Sequence, residues 1–380
     1  MSFFYNAALP LNIKSTGYKP FDQIDFLHKA NVGRSIKAGS FRLTGKIIVQ
    51  KLTVAKPNEY ALVTPEDQVF LDPYAGVGGL LKNCSTEINN RIIESVAYLN
   101  RKTAMDSQAH NTLEQLTSGS ANVVELKGLQ NNIPLASSKD TDGTNFSILL
   151  NTAINKSSTD LPASKFSLIK LSFTLASALE GLYSSRAGLP DTSPNLITAL
   201  DYTINDLELH WYETVETPVE RTIFRTVFLT STSIVSTNST INVRSPQLYD
   251  SVSMSFILQE DRNKVYRNDC MSYYFPSLQT VEIIVNGSDS PIKYVIGAGN
   301  SSPYQDIALN YLKSLDGNTE CNSICNKFLS ENISFGIGCK MSTSINDTVC
   351  FVLSMVPGST FQPSASPFDC YIYTGGFIEI

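Results

Sequence analysis

Tryptophan occurs once in the 380 residues, histidine three times, and charged side chains make up only 17%. An average soluble protein carries about 25% charged residues. One tryptophan is poor equipment for stacking sugars along a cleft, and three scattered histidines (His28, His110, His210) leave little for metal or acid–base chemistry. The net charge of −6 and isoelectric point near 5.2 argue against a strong grip on nucleic acid, which needs clustered Lys and Arg to displace counterions. No apolar run approaches the roughly 20 residues of a membrane-spanning helix. Met1 to Pro10 lacks a basic stretch followed by an apolar core, so a soluble chain made in the reducing cytosol or nucleus is expected.

The seven cysteines (Cys84, Cys270, Cys321, Cys325, Cys339, Cys350 and Cys370) are an odd number, and free thiols are expected in place of a disulfide framework. Cys321 and Cys325 are spaced like half a metal site, but no histidine lies near them. Gly76-Val77-Gly78-Gly79 lacks the Lys-Ser/Thr pair and the strand-loop-helix setting of a phosphate loop, and reads as a bend leading into a strand. His110 shares a helical face with Asp106 and Glu114, a spacing that predicts a solvated helix face. Trp211-Tyr212 reads as core or interface aromatic packing. Eight Asn-x-Ser/Thr triplets occur, at Asn83, Asn145, Asn155, Asn238, Asn286, Asn300, Asn332 and Asn346; in a chain so rich in these residues most arise by chance. No catalytic, cofactor-binding or metal-ligating residue is assigned.

What the chain does contain is period-two alternation. In Ile169-Lys170-Leu171-Ser172-Phe173-Thr174-Leu175 every second side chain is apolar, so one face is buried and the other wet. Val252 to Leu258, Leu207 to Trp211 and Val281 to Val285 follow the same pattern. Lys46 to Val54, Thr222 to Leu229, Phe351 to Val356 and Tyr371 to Ile380 are rich in β-branched and aromatic residues. Helical signal is scarce. Pro303 to Leu315 is the best case, with Ala308, Leu309, Leu312 and Leu315 on one face. In Ile88 to Leu116 the pattern reads two ways: Ile88, Ile92, Val96 and Leu99 have helical spacing, but Asn89-Asn90 also makes a hairpin turn between two short strands, and turn-then-strand is the favoured reading, with a helix from Asp106 to Leu116. Thr117 to Asn145 reads as a long exposed excursion. A chain of 380 residues is long for one core, and the Pro218-containing stretch Glu213 to Val219 predicts a junction dividing it into 1–216 and 217–380.

Three ordered segments resemble the double jelly-roll major capsid proteins of the adenovirus-hexon and tailless-phage lineage, most like those of polinton-like viruses and virophages. Leu71-Asp72-Pro73-Tyr74-Ala75-Gly76 through Leu80, with Arg91-Ile92-Ile93-Glu94 to Tyr98 after it, is similar to the family's Asp-x-x-Ala-Gly lead-in and later Ile-Glu strand. Gly181-Leu182-Tyr183, followed by Leu189-Pro190, is similar to its Gly-Leu-Phe and Leu-Pro passage. Phe275 to Pro291, where Val281-Glu282-Ile283-Ile284-Val285 runs into Asn286-Gly287, resembles a strand of the second jelly roll.

The resemblance implies an all-β chain of two antiparallel eight-stranded jelly-roll sandwiches side by side, with a few short helices in connecting loops. It further implies homotrimeric, pseudo-hexagonal capsomers that tile an icosahedral shell. The partners would be copies of the chain, neighbouring capsomers, and penton and minor capsid proteins, and the location the virion. No enzymatic activity, cofactor or direct nucleic-acid binding is implied. Thr117 to Asn145 and Ser231 to Pro246 are the expected interlocking loops, in interfaces on the order of 2,000 Å² per subunit pair. A minor or vertex shell protein would instead have one jelly roll or form pentamers. A carbohydrate-binding or glycoside-cleaving sandwich should carry two carboxylates about 5 to 9.5 Å apart, and no Glu-x-Asp-x-x-Glu strand pattern is present.

Overall fold

Alternating side chains make a strand two-faced, and two such sheets bury their apolar faces against each other. The computed structural model describes residues 3–72, 75–110, 143–184, 195–244, 248–266, 278–286, 291–295, 302–316, 336–341, 348–355 and 367–380. In chain order the first group of elements is β1 (Phe4–Ala8), β2 (Gln23–Lys29), β3 (Arg34–Ile36), β4 (Arg42–Thr53), β5 (Lys56–Leu62), β6 (Val69–Leu71), β7 (Leu81–Ile88), β8 (Arg91–Val96), α1 (Leu99–His110), β9 (Thr144–Leu149), β10 (Leu161–Pro162), β11 (Leu168–Leu175), α2 (Ala178–Gly181), β12 (Leu182–Ser184) and β13 (Ile197–Val215). The second is β14 (Ile223–Ile234), β15 (Asn238–Val243), β16 (Tyr249–Leu258), β17 (Leu278–Val285), β18 (Ile292–Val295), α3 (Ser302–Ser314), β19 (Ile337–Lys340), β20 (Val349–Met355) and β21 (Phe368–Glu379).

The second group forms two antiparallel sheets, β14-β21-β16-β19 and β15-β20-β17-β18. Numbering its eight strands by chain order gives 1-8-3-6 and 2-7-4-5, the pairing of a long hairpin rolled into a sandwich, which is the jelly roll. The first group repeats it. Its main strands pair as β1-β13-β4-β9 and β2-β11-β7-β8, again 1-8-3-6 and 2-7-4-5. Five short strands extend it: β3, β5 and β10 lengthen the first sheet, and β6 pairs with β12. The expected eight-stranded sandwiches are therefore present, the first elaborated to thirteen strands among the described residues.

Local chemistry accounts for most elements. Ile169, Leu171, Phe173 and Leu175 of β11 are buried while their neighbours are partly wet. Asn89 and Asn90 both adopt positive φ, 49° and 65°, closing the β7–β8 hairpin at the Ile88–Arg91 pair as asparagine permits. Asn286, at the end of β17, has φ 53°; Gly287 lies outside the described residues, as do Glu114, Cys270, Cys321, Cys325, Asn300, Asn332, Asn346, Leu189-Pro190 and 117–142.

Four expectations need correction. Helix α1 begins at Leu99, not Asp106, because the chain turns at Tyr98 (φ 51°) directly after β8. The buried face of α3 centres on Ile307, Tyr311, Leu312 and Leu315, with Leu309 only half-buried. Ser231 to Pro246 is mostly strand, the end of β14 and all of β15, and not a long loop. In β16 the predicted wet face is dry: Ser251, Ser253 and Ser255 are as buried as Val252, Met254 and Phe256, because a second layer covers the outside of that sheet.

The phase of β17 is as expected, with Val281 and Ile283 in the core and Glu282 on the opposite face, paired with Lys293. Ile283→Asp should therefore destabilise by more than ~4 kcal/mol through an unpaired buried charge. Glu282→Lys should cost about 1 kcal/mol or less. Urea unfolding of the two variants checks this; equal losses would place the strand in the wrong phase.

Candidate functional site

Chemistry-bearing side chains concentrate at the seam between the two sandwiches. On the outer face of the sheet β14-β21-β16-β19, β14 meets β8 and the 3-10 turn Ala153–Lys156 of the first sandwich, and α1 approaches Tyr371 and Arg225. A bridge pairs Ser157 with Phe224, the Ser158 amide donates to the Ile223 carbonyl at 2.8 Å, and Phe166 meets Phe224 edge-on at 5.7 Å. Further along, Tyr98 packs on Tyr371 at 4.8 Å, the Arg101 guanidinium lies 4.3 Å from the Tyr371 ring centre, and the Tyr373 hydroxyl donates to the Tyr98 carbonyl at 2.9 Å. Lys165 Nζ donates to the carbonyls of Glu220 and Ile380, both at 2.9 Å.

Two carboxylates occupy this seam in opposite electrostatic states. Asp106 is buried, which opposes ionisation, yet Lys102 one helical turn earlier and Lys156 at 3.1 Å outweigh that cost and hold it well below the usual carboxylate range. Asn151 Nδ2 also donates to it at 2.9 Å. Glu94 is buried with weaker compensation: Ala153 donates its amide at 2.7 Å, and burial still pushes the carboxyl up to about 7. Between the sandwiches, Lys102, Asp106, Lys156, Arg225, Ser251 and Asp316 line a cavity of about 230 Å³. Arg225 is bound there by Asp250 at 2.6 Å and Asp316 at 2.9 Å, and Lys340 also pairs with Asp316. Its cations and carboxylates neutralise one another.

The residues singled out in the sequence do not converge on this seam as a reactive set. His110 ends α1 and lines the cavity, but Asp106 is engaged by two lysines; the predicted solvated face of α1 is thus buried at Asp106. His28 is a core residue, its ring centre 4.5 Å from that of Trp211 in an edge-on contact and its Nε2 3.8 Å from Glu213; burial lowers its pKa against the pull of Glu213. Glu213 also accepts from Trp211 Nε1 at 3.1 Å. Trp211 is core, as expected, whereas Tyr212 on the other face is exposed. His210 lies between the Tyr5 hydroxyl and Thr44 Oγ1. The glycine string is a buried 3-10 turn, Val77–Leu80, that leads into β7. A Cβ on Gly181 would come within 2.9 Å of the Gly79 backbone, so the first two resemblance segments meet, with β6 paired to β12. Cys84, Cys339, Cys350 and Cys370 are free thiols, and among the described residues no three His, Cys, Asp or Glu side chains group as a metal site. No described helix is long and apolar enough to cross a membrane.

Two jelly rolls of identical winding in one chain, joined face to edge, are the deciding feature. The chain has the double jelly-roll fold of viral major capsid proteins. The major capsid protein of Faustovirus superposes with a TM-score of 0.63 at 8% identity, covering 100% of this chain and 90% of the other. The capsid protein of the virus PBCV-1 gives 0.57 at 12% identity over 100% and 95%, and that of mavirus 0.53 at 11% over 99% and 90%. No family model and no curated protein matches the sequence. At such identities the likeness of this double jelly roll is one of fold.

The double jelly roll's seam carboxylates give two predictions. Because Glu94 holds its proton to about 7 in the folded state against 4.5 for the ordinary group, the native state binds more protons than the unfolded one between those values. Stability therefore falls as pH rises through that window, by on the order of 2–3 kcal/mol. Glu94→Gln keeps an acceptor for the Ala153 amide and should flatten that part of the dependence; denaturation at pH 5 and pH 8 with parallel losses in both proteins would contradict it. Asp106→Ala leaves buried Lys102 and half-buried Lys156 without this partner and should cost about 3–5 kcal/mol, read as a fall in the thermal midpoint.

Proposed function

We propose that this chain is a major capsid protein: a non-enzymatic building block that forms pseudo-hexagonal homotrimers and tiles an icosahedral viral shell. The observation that carries this reading is the repeated 1-8-3-6 and 2-7-4-5 winding in two sandwiches fused through a buried seam, a fold shared along the whole chain with the capsid proteins of Faustovirus, PBCV-1 and mavirus. The two sandwiches divide at 216/217, in the stretch between β13 and β14. Its partners are copies of itself, adjacent capsomers, and penton and minor capsid proteins, and its place is the virion; neither a cofactor nor direct contact with nucleic acid belongs to this role.

Native mass measurement of the purified full chain is the test. The expected species is a stable trimer, with an obligate interface on the order of 2,000 Å² or more per subunit pair. A pentamer would point to a vertex protein, and a monomer that binds glycans to a carbohydrate-recognising sandwich; either would overturn the proposal.

A further inference from the structure

A guanidinium taken out of water is costly unless an acceptor meets it. At the seam, Lys102, Arg225 and Arg262 each reach a carboxylate; Arg101 does not. It is 3% exposed, its side chain makes no hydrogen bond or ion pair among the described residues, and its Nη1 is buried without an acceptor. The Tyr371 ring, whose centre lies 4.3 Å from the guanidinium carbon, offsets only part of that desolvation. Position adds to the cost. Arg101 is the third residue of α1, whose first turn has no acidic side chain, and the positive end of a helix disfavours a cation and favours an anion. The nearby carboxylates are engaged elsewhere: Glu180 by Lys82 at 2.7 Å and Asn100 at 3.2 Å, Asp369 by Arg262 at 2.6 Å and Gln259 at 2.7 Å.

A second orphan donor borders the same ring. Ser255 is opposed to Tyr371 in the β16–β21 ladder, where facing side chains stand about 5 Å apart; it is 4% exposed, and its Oγ is buried with no partner. Arg262 approaches as well, for burial pushes the Tyr371 hydroxyl up to about 12 while Arg101 and Arg262 both pull it down. Two guanidinia and the already bonded Asp369 carboxylate therefore surround Tyr371, an excess of positive charge in a dry joint. We infer that a single chloride-sized anion binds between the first turn of α1 and the Tyr371–Ser255 pair, accepting from Arg101 Nη1 and from the Ser255 hydroxyl, with Arg262 as the second cation. Both orphan atoms are shut off from solvent, which suits a monatomic ion better than a bulky oxyanion. The ion ties the helix of the first sandwich to a strand of the second. It is a separate site from the cavity at Asp106, whose lining includes neither Arg101 nor Ser255, and it does not depend on how copies of the chain assemble.

The test compares thermal unfolding of the full chain in sodium chloride and in sodium gluconate at equal ionic strength, with bromide as the crystallographic probe. Chloride should raise the wild-type midpoint by about 3 °C or more, in a saturable way, while the midpoint of Arg101→Met should be the same in both salts. Ser255→Ala keeps the cations but lacks one donor to the ion, and should need roughly tenfold more chloride for the same rise. Crystals grown in sodium bromide should show an anomalous peak beside Arg101 and Ser255. Equal wild-type midpoints in the two salts, a chloride effect of undiminished size in Arg101→Met, or no bromide peak at that place overturns the assignment. So does a bromide peak without a chloride effect, which would mark an adventitious ion only. Should Arg101→Met misfold, the wild-type salt comparison and the Ser255→Ala titration decide.

Discussion

A sheet buried on one face needs only an alternating sequence; the sheet β14-β21-β16-β19 is buried on both, and the organisation of the molecule follows from that second burial. One side faces the interior of its own sandwich through Val252, Met254, Phe256 and Ile372. The other faces β8 and the Ala153–Lys156 turn of the first sandwich over β14, Arg101 of α1 over β21, and α3 of its own sandwich over β16 and β19. The outer face can approach closely because it is built from small residues, Ser251, Ser253 and Gly375, with tyrosines at the margin whose hydroxyl and ring faces find partners across the seam. Two sandwiches thereby share one continuous set of buried residues.

The seam also carries charge where a simple sandwich would be apolar. Desolvating Asp106, Lys102 and Lys156 is costly, and the ion pairs among them return that cost without a large surplus. Each set closes within its own sandwich, Lys102 and Lys156 on Asp106 in the first and Asp250 and Asp316 on Arg225 in the second, and the two neutralised sets face each other across the cavity. Glu94, whose burial outweighs the amide donors and lysines around it, makes the same joint sensitive to proton concentration.

The division of labour between surfaces explains why a chain with so many polar residues offers no reactive cluster among its described residues. Its ionisable groups at the seam are engaged with one another, its described cysteines are free but largely buried, and its core histidine rests against Trp211 and Glu213. What remains accessible is packing surface, above all the aromatic face of β1 and β13.

The strands, their phase and the Asn89-Asn90 hairpin were legible in the sequence because each is a local steric fact: side chains alternate with period two, and asparagine tolerates positive φ. The resemblance segments likewise named Glu94 and Gly181 before their neighbours were known. The start of α1 at Leu99, the dry serine face of β16 and the burial of Asp106 were not legible. Each depends on a partner distant in the chain, Lys156 for Asp106 and Tyr98 for Tyr373, and local period carries no record of which wet-looking face a second sandwich will cover. The sequence by itself determined the phase of its plainly alternating strands; only the tertiary structure decided that 231–243 is strand and which of the outward faces stay wet, because those depend on where distant partners land.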